Sequence, residues 1–300
     1  MDIDPDPTRR SFRFGVGLKA CESRKEWIDK CRKVEDLGYD VLGVADHLGR
    51  PAPFPSLMLA AEATQRCRLS TFVLNSGFYN AGLLARDVAT TDQLTDGRLE
   101  VGLGAGYDRR DFHGADMRFP CPRERVEHLT DLVRGIKQRF SVPDHEPRPK
   151  QDPGPPLWIP GRGDRLLSLA AREADIVGFT GFAPGNDGGI AYLADIEGLS
   201  ERVTYAKNLL GHRLREVELN IYVWRVVVTN NREKEAKRLE PLRTLSAQQM
   251  LNVPTVLIGT ARQIVDTLVE YRERFGFSYI TVEEYNLESL APVIETLHVK

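Results

Sequence analysis

The sequence predicts an α/β fold, a closed (β/α)8 TIM barrel with insertions, and three observations carry that prediction. Short continuous apolar runs alternate with segments of helical spacing along the whole chain, which is the pattern of a parallel sheet covered on both faces. About eight such runs occur with no break in composition between them. The 300 residues, 41% hydrophobic and 28% charged, suffice for one large core, and a barrel of ~250 residues plus insertions fits. An open doubly wound sheet is the alternative. Its usual Gly-x-Gly-x-x-Gly signature is missing after the first run, because Gly15-Val16-Gly17-Leu18-Lys19-Ala20 ends in alanine and its glycines lie within the strand.

The elements follow in order. Residues 1–10 are polar and acidic and read as a frayed tail, leaving 11–300 as one barrel domain. Residues 12–18 form the first strand. Residues 25–37 form a helix with apolar positions at Trp27, Ile28, Cys31, Val34 and Leu37, stopped by Gly38. A strand at 41–45, a helix at 56–64, a strand at 69–74 and a helix at 83–94 come next. Asp96-Gly97 is a turn, and 99–103 is the fourth strand. A long amphipathic helix spans 123–140. Prolines 143, 147, 149, 153, 155 and 156 then forbid regular structure, so 141–156 is a surface excursion. Strands at 157–159 and 176–179 enclose a helix at 166–173. The Gly/Asp-rich stretch 182–198 is too long for a tight turn and reads as an active-site loop or lid. A helix at 200–210 precedes the strongest strand, 218–229. A polar helix from 232, a helix at 261–274, a strand at 279–282 and a helix at 287–297 complete the chain.

Composition narrows the function. A net charge of -2 gives no reason to expect nucleic acid or a membrane surface as partner. No apolar run approaches the ~20 residues of a membrane span, and the N-terminus lacks the apolar core of a signal peptide. Cys21, Cys31, Cys67 and Cys121 are scattered, as expected of reduced thiols in a cytoplasmic protein. The histidines show no metal-ligand spacing, so no metal is expected.

A barrel meets its ligand at the C-terminal ends of its strands, and several of those ends carry unusual chemistry here. Asp46-His47 leaves the second strand; this pair either contacts a heterocycle and moves a proton, or caps a turn and packs. Asn75-Ser76 follows the third strand and offers an amide and a hydroxyl, or forms an ordinary turn. Gly104-Ala105-Gly106 lets a planar ligand approach the backbone after the fourth, or serves close packing. Arg109 and Arg110, next in line, are a second choice for anionic groups because adjacent arginines are more often solvated. Gly161-Arg162-Gly163 opens a helix directly after the fifth strand, where free N–H groups and the helix dipole suit a phosphate, and Thr180 after the sixth strand joins it.

The stretch Thr91-Asp92-Gln93-Leu94, Asp96-Gly97-Arg98 and Gly102-Leu103-Gly104-Ala105-Gly106 resembles the luciferase-like monooxygenase superfamily. The wording at 167–177 and at Val256-Leu257-Ile258-Gly259-Thr260 is most similar to the branch dependent on coenzyme F420. The resemblance implies a deazaflavin or flavin bound by Asp46, His47, Asn75, Ser76, Gly104, Ala105, Gly106, Gly161, Arg162, Gly163 and Thr180. It implies His47 or Asp46 as proton donor or ring contact, and a strand-end bulge at Phe72-Val73-Leu74-Asn75-Ser76, often with a cis non-proline peptide. The reaction implied is hydride transfer between F420 and a small organic substrate, with an FMN-dependent monooxygenase as the alternative; relatives tend to be homodimers. Asn80-Ala81-Gly82 and Thr95-Asp96 depart from the family wording without removing a proposed contact. Two readings outside redox chemistry stay open. One is an isomerase or aldolase acting on a sugar phosphate, with Lys19 and Glu283 as its candidates; the other is a non-catalytic assembly subunit.

Overall fold

Eight parallel strands close into a barrel: β1 (Arg13–Leu18), β2 (Val41–Val44), β3 (Arg68–Thr71), β4 (Leu99–Gly104), β5 (Leu157–Pro160), β6 (Ile176–Phe179), β7 (Glu218–Val223) and β8 (Phe277–Glu283). Each pairs with the next in chain order, and β8 returns to β1 with Arg13 opposite Tyr279. The computed structural model describes residues 6–7, 9–19, 22–183, 192–240 and 245–298. The expected tail lies mostly outside the described residues, as do Cys21 and the middle of the 182–198 stretch.

Strand side chains alternate, so every second residue faces the lumen. The lowest layer is charged. Arg13 Nη2 and Arg68 Nε both donate to the fully buried Glu100 Oε1, at 2.8 and 2.6 Å, and Arg13 also pairs with Glu218 at 3.3 Å. The middle layer is glycine-rich, which gives large side chains room. A Cβ on Gly15 would stand 2.8 Å from Tyr279 Oη, one on Gly43 2.8 Å from Phe72 Cβ, and one on Gly178 2.4 Å from Trp158 Nε1. Tyr279, Phe72 and Trp158 therefore fill the lumen as a packed core, with Trp158 5.3 and 5.9 Å from the other two rings.

Between barrel and helices lies the main apolar layer, built from Leu42, Leu69, Val101 and Ile221 on the strands and Val34, Leu57, Leu84, Val133 and Leu268 on the helices. Each such side chain contributes about 1.5–3 kcal/mol on burial. The helices start on local signals. Ser23, Asn80, Asp195 and Thr260 cap the helices Arg24–Asp36, Ala81–Leu94, Ile196–Leu210 and Ala261–Phe275 through side-chain oxygens. The Gly-Arg of the resemblance is structural. Asp96 and Gly97 have φ of 55° and 76°, and Arg98 donates to the carbonyls of Ala61 and Thr64 at 2.8 and 3.1 Å, closing the end of the helix Pro53–Ala63.

Three expectations need correction. The strand expected at 69–74 ends at Thr71, and a separate two-residue ladder, Leu74–Asn75, pairs with Leu103 and Gly104. The strand expected at 218–229 breaks at Trp224. Its second half, Arg225–Val228, leaves the barrel and pairs with Val256–Gly259, because Trp224 turns into a separate apolar cluster with Leu239, Met250 and Val253. The loop expected at 182–198 begins and ends in structure: Phe182–Ala183 pairs with Tyr192–Leu193, and a helix has begun by Ile196. A short helix, Arg109–Gly114, went unpredicted.

Candidate active site

Parallel strands place all eight C-terminal ends on one face, so the ends of β2 to β6 form a continuous arc around more than half of the mouth. Asp46 and His47, adjacent at the end of β2, do different work. Asp46 Oδ2 accepts from the Asn75 backbone N–H at 3.0 Å and from Tyr79 Oη at 3.1 Å, tying β2 to the β3 exit. Burial pushes its carboxyl above the usual range, although those two donors oppose the shift. His47 Nδ1 lies 2.6 Å from Asp111 Oδ2, and Asp111 Oδ1 accepts from the Leu48 N–H at 3.2 Å. A carboxylate only accepts, so Nδ1 carries the hydrogen and Nε2 is the basic nitrogen. Asp111 is buried, at 7% exposure, and sits on the unpredicted helix, 64 residues from its partner. Sequence reasoning missed it for that reason; its spacing from Gly106 carries no recognised signal.

The Phe72–Val73 peptide is cis, as the resemblance implied. Phe72 then lies across Gly17 and Gly43, and a Cβ on Gly104 would stand 2.9 Å from Val73 Cγ2. Gly102 is more constrained, since its Cβ would fall 2.2 Å from Thr71 O. Asn75 and Ser76 are buried. The Asn75 Oδ1 accepts from the Gly77 N–H at 3.1 Å and occupies the space beside Gly106, whose Cβ would stand 2.2 Å from it. Gly106 also has a φ of 73°, which only glycine adopts readily. Among the described residues the Ser76 hydroxyl has no partner and it is fully buried, while its carbonyl faces His128 Nε2 at 3.0 Å. These two side chains therefore shape the exit, and the backbone of 104–106 is what faces the mouth. Arg109 lies over the Phe119 ring at 4.8 Å and Arg110 pairs with Asp108 at 2.6 Å, both exposed.

At the ends of β5 and β6 the structure brings Gly161, Arg162 and Thr180 into one small concavity, closed on its far side by Gly198 and Arg202 of the helix Ile196–Leu210. Gly163 is the N-cap of the helix Asp164–Glu173, and no side chain caps that end. A Cβ on Gly163 would meet nothing within 4 Å, so among the described residues nothing packs against that glycine at the start of the helix. Gly161, by contrast, has a packing role: its Cβ would stand 2.1 Å from Leu166 Cδ2. Arg162 has no carboxylate within ion-pair distance among the described residues, whereas Arg202 bonds Asp164 at 2.5 Å. Uncapped amides, a free guanidinium and a hydroxyl are the donor set of a phosphate site. At the β4 exit Val73 and Asn75 fill the space beside Gly104 and Gly106, and the backbone of 104–106 is only partly buried. The donor set thus fits a phosphate-bearing cofactor.

Fold and site together define a (β/α)8 barrel whose polar strand ends gather on one face. A family model described as luciferase-like monooxygenase matches residues 10–246, and the chain belongs to that family. The chain is 27% identical over 168 residues to the oxygenase component of a flavin-dependent trigonelline monooxygenase from Acinetobacter baylyi, covering 49% of this chain and 46% of that one. It is 34% identical over 140 residues to an F420-dependent glucose-6-phosphate dehydrogenase from Intrasporangium calvum, covering 42% of each. The chain spans about half the length of the curated relatives it matches. In structure it is similar to the coenzyme F420-dependent tetrahydromethanopterin reductase from Methanopyrus kandleri, with a TM-score of 0.72 and 16% identity over 97% of this chain and 100% of that one. That likeness shows the fold.

Proposed function

We infer that the chain is an oxidoreductase that binds coenzyme F420 across the arc from β2 to β6 and exchanges a hydride with a small organic substrate. The observation that carries this is the joint placement of an uncapped, cation-flanked helix start at Gly163 and a carboxylate-held imidazole at His47 on the same barrel face. When bound, the deazaflavin supplies the hydride-carrying carbon, and the protein supplies orientation and electrostatics. Arg162, Thr180 and the amides after Gly163 bind the phosphate. The backbone of Gly104, Ala105 and Gly106 takes the ring at close range, and Asp46 holds the β3 exit against it. His47 holds or releases a proton at Nε2, and Asp111 balances the positive charge that forms on the ring when it accepts one.

The A. baylyi relative favours a second reading, reduced FMN with oxygen, on the same residues. A fluorescence titration of the purified protein with F420 and with FMN, each oxidised and reduced, separates the two. Tight F420 binding without FMN binding supports the deazaflavin reading. Preference for FMN supports the monooxygenase, and binding of neither refutes both. The cytoplasmic homodimer follows from the scattered thiols and from the resemblance. Leu83 and Leu94 are 51% and 63% exposed on the helix Ala81–Leu94, and the mass in solution tests the dimer. Among the described residues no helix is long and apolar enough to cross a membrane, and no group of three or more side chains suits a metal.

A further inference from the structure

The arc from β2 to β6 leaves three strand ends, those of β7, β8 and β1, outside the proposed cofactor contacts. Alternation along the strands makes Tyr222 and Glu283 the uppermost lumen residues of β7 and β8, in step with Glu218 and Tyr279 below them, and Lys19 follows Leu18 at the top of β1. The three side chains form one hydrogen-bonded wall. Lys19 Nζ lies 2.7 Å from Glu283 Oε2, and Tyr222 Oη donates to Glu283 Oε1 at 3.3 Å. The Lys19 side chain is 34% exposed and that of Glu283 18%, so both reach the mouth while staying partly desolvated. The Tyr222 ring lies 6.4 Å from Phe72, beside the glycine-lined floor, and the Tyr285 ring lies 5.0 Å from Lys19 Nζ.

We propose that Lys19, Glu283 and Tyr222 form the substrate wall of the mouth and select an uncharged substrate bearing a hydroxyl or carbonyl oxygen. The wall holds one positive and one negative charge in contact, and the next cation, Arg225, is stacked on the Tyr285 ring at 4.6 Å. A hydroxyl oxygen accepts from the remaining N–H donors of Lys19 while its hydrogen is donated to Glu283, which Tyr222 holds in place, and a carbonyl oxygen accepts from Lys19. An anionic ligand must instead displace Glu283 from Lys19 or lie beside a fixed carboxylate, and like charges at such range are strongly disfavoured. The flanking tyrosine rings and Phe72 give the carbon skeleton an apolar face. This inference rests on the oxidoreductase reading only for what the wall is used for.

The test is binding of matched pairs to the full chain with F420 added, followed by saturation-transfer NMR. Propane-1,2-diol is compared with lactate, and glucose with glucose 6-phosphate. The expected result is that each uncharged member binds at least about tenfold more tightly than its anionic partner, a difference of about 1.4 kcal/mol. Glu283→Gln is expected to remove that preference, and Tyr222→Phe to weaken binding of the uncharged members, while F420 affinity in both variants stays within about twofold. Stronger binding of lactate or glucose 6-phosphate overturns the proposal. So does an unchanged preference in Glu283→Gln, or the absence of any binding to the wild type. The same pairs run on the protein alone keep the result separate from the cofactor reading, which fails only if F420 and FMN both fail to bind.

Discussion

The two ends of the barrel use the same kinds of side chain to opposite effect. At the bottom, Arg13 and Arg68 share the buried Glu100, Arg13 also pairs with the buried Glu218, and Arg13 lies 4.6 Å from the Tyr279 ring centre. At the mouth, Asp46 and Asp111 spend their oxygens on orienting neighbours, and His47 Nε2, Arg162 and the amides after Gly163 have no side-chain hydrogen-bond partner among the described residues. Polar groups that close on themselves under burial fix register and specificity of packing. Polar groups that face outward with one atom unspent can meet a ligand. The barrel thus separates stability from function along its own axis.

Substitutions at the two ends should therefore separate the two properties. The largest expected effect is Glu100→Ala, which removes the buried carboxylate shared by the half-buried Arg13 and Arg68 and should cost about 3 kcal/mol in denaturant unfolding. Cofactor affinity of the folded fraction should not change; a stability loss under about 1 kcal/mol would show that the bottom layer is not what fixes the barrel. His47→Ala should leave the unfolding midpoint nearly untouched and lower turnover about 10²–10⁴-fold once a substrate is in hand. Asp111→Asn should give an intermediate loss and change the ¹⁵N signature of the His47 ring, because the amide no longer fixes Nδ1 as the donor. An unchanged ring signature would mean that Asp111 only packs.

Gly102→Ala lies between the two ends and should cost about 1–3 kcal/mol, since its Cβ would meet the Thr71 carbonyl, which belongs to backbone that cannot simply rotate away. Asp46→Asn tests the mouth through pH. Burial raises the Asp46 carboxyl in the folded protein, so its favourable contribution is present below the ordinary carboxylate pKa of about 3.9 and is lost as pH rises through the folded value. The asparagine variant should consequently be more stable than wild type near neutral pH, and the gap should close toward about pH 4. A gap that widened on acidification would reverse the sign and reject the assignment. The smallest effect belongs to Arg110→Ala. Its exposed pair with Asp108 holds that carboxyl down to about 2, but solvent screens it, and the unfolding midpoint should not measurably move.

Much of this was legible in the chain. The alternation of apolar runs with helical spacing gave eight strands and their order, and Gly38, Asp96-Gly97 and the six prolines marked where elements stop. Local signals of this kind act through φ, ψ and burial over a few residues, so they survive in one dimension. The glycine pairs at 104–106 and 161–163 pointed to the mouth, and both stand there. Their division of labour was not legible. Gly161 is required by Leu166 and Gly106 by Asn75, whereas Gly163 is open, and only packing distinguishes them.

By itself the sequence determined the barrel, the strand ends that would carry chemistry and the family wording. Tertiary structure alone decided which side chains meet. It joined His47 to Asp111 across 64 residues, Lys19 to Glu283 across the closure of β1 on β8, and Arg13 to Glu100 and Glu218 beneath them. The physical reason is that hydrophobic periodicity encodes which face of an element is buried, while the partner found on that face depends on how the ring of strands closes, and closure is a property of the whole chain.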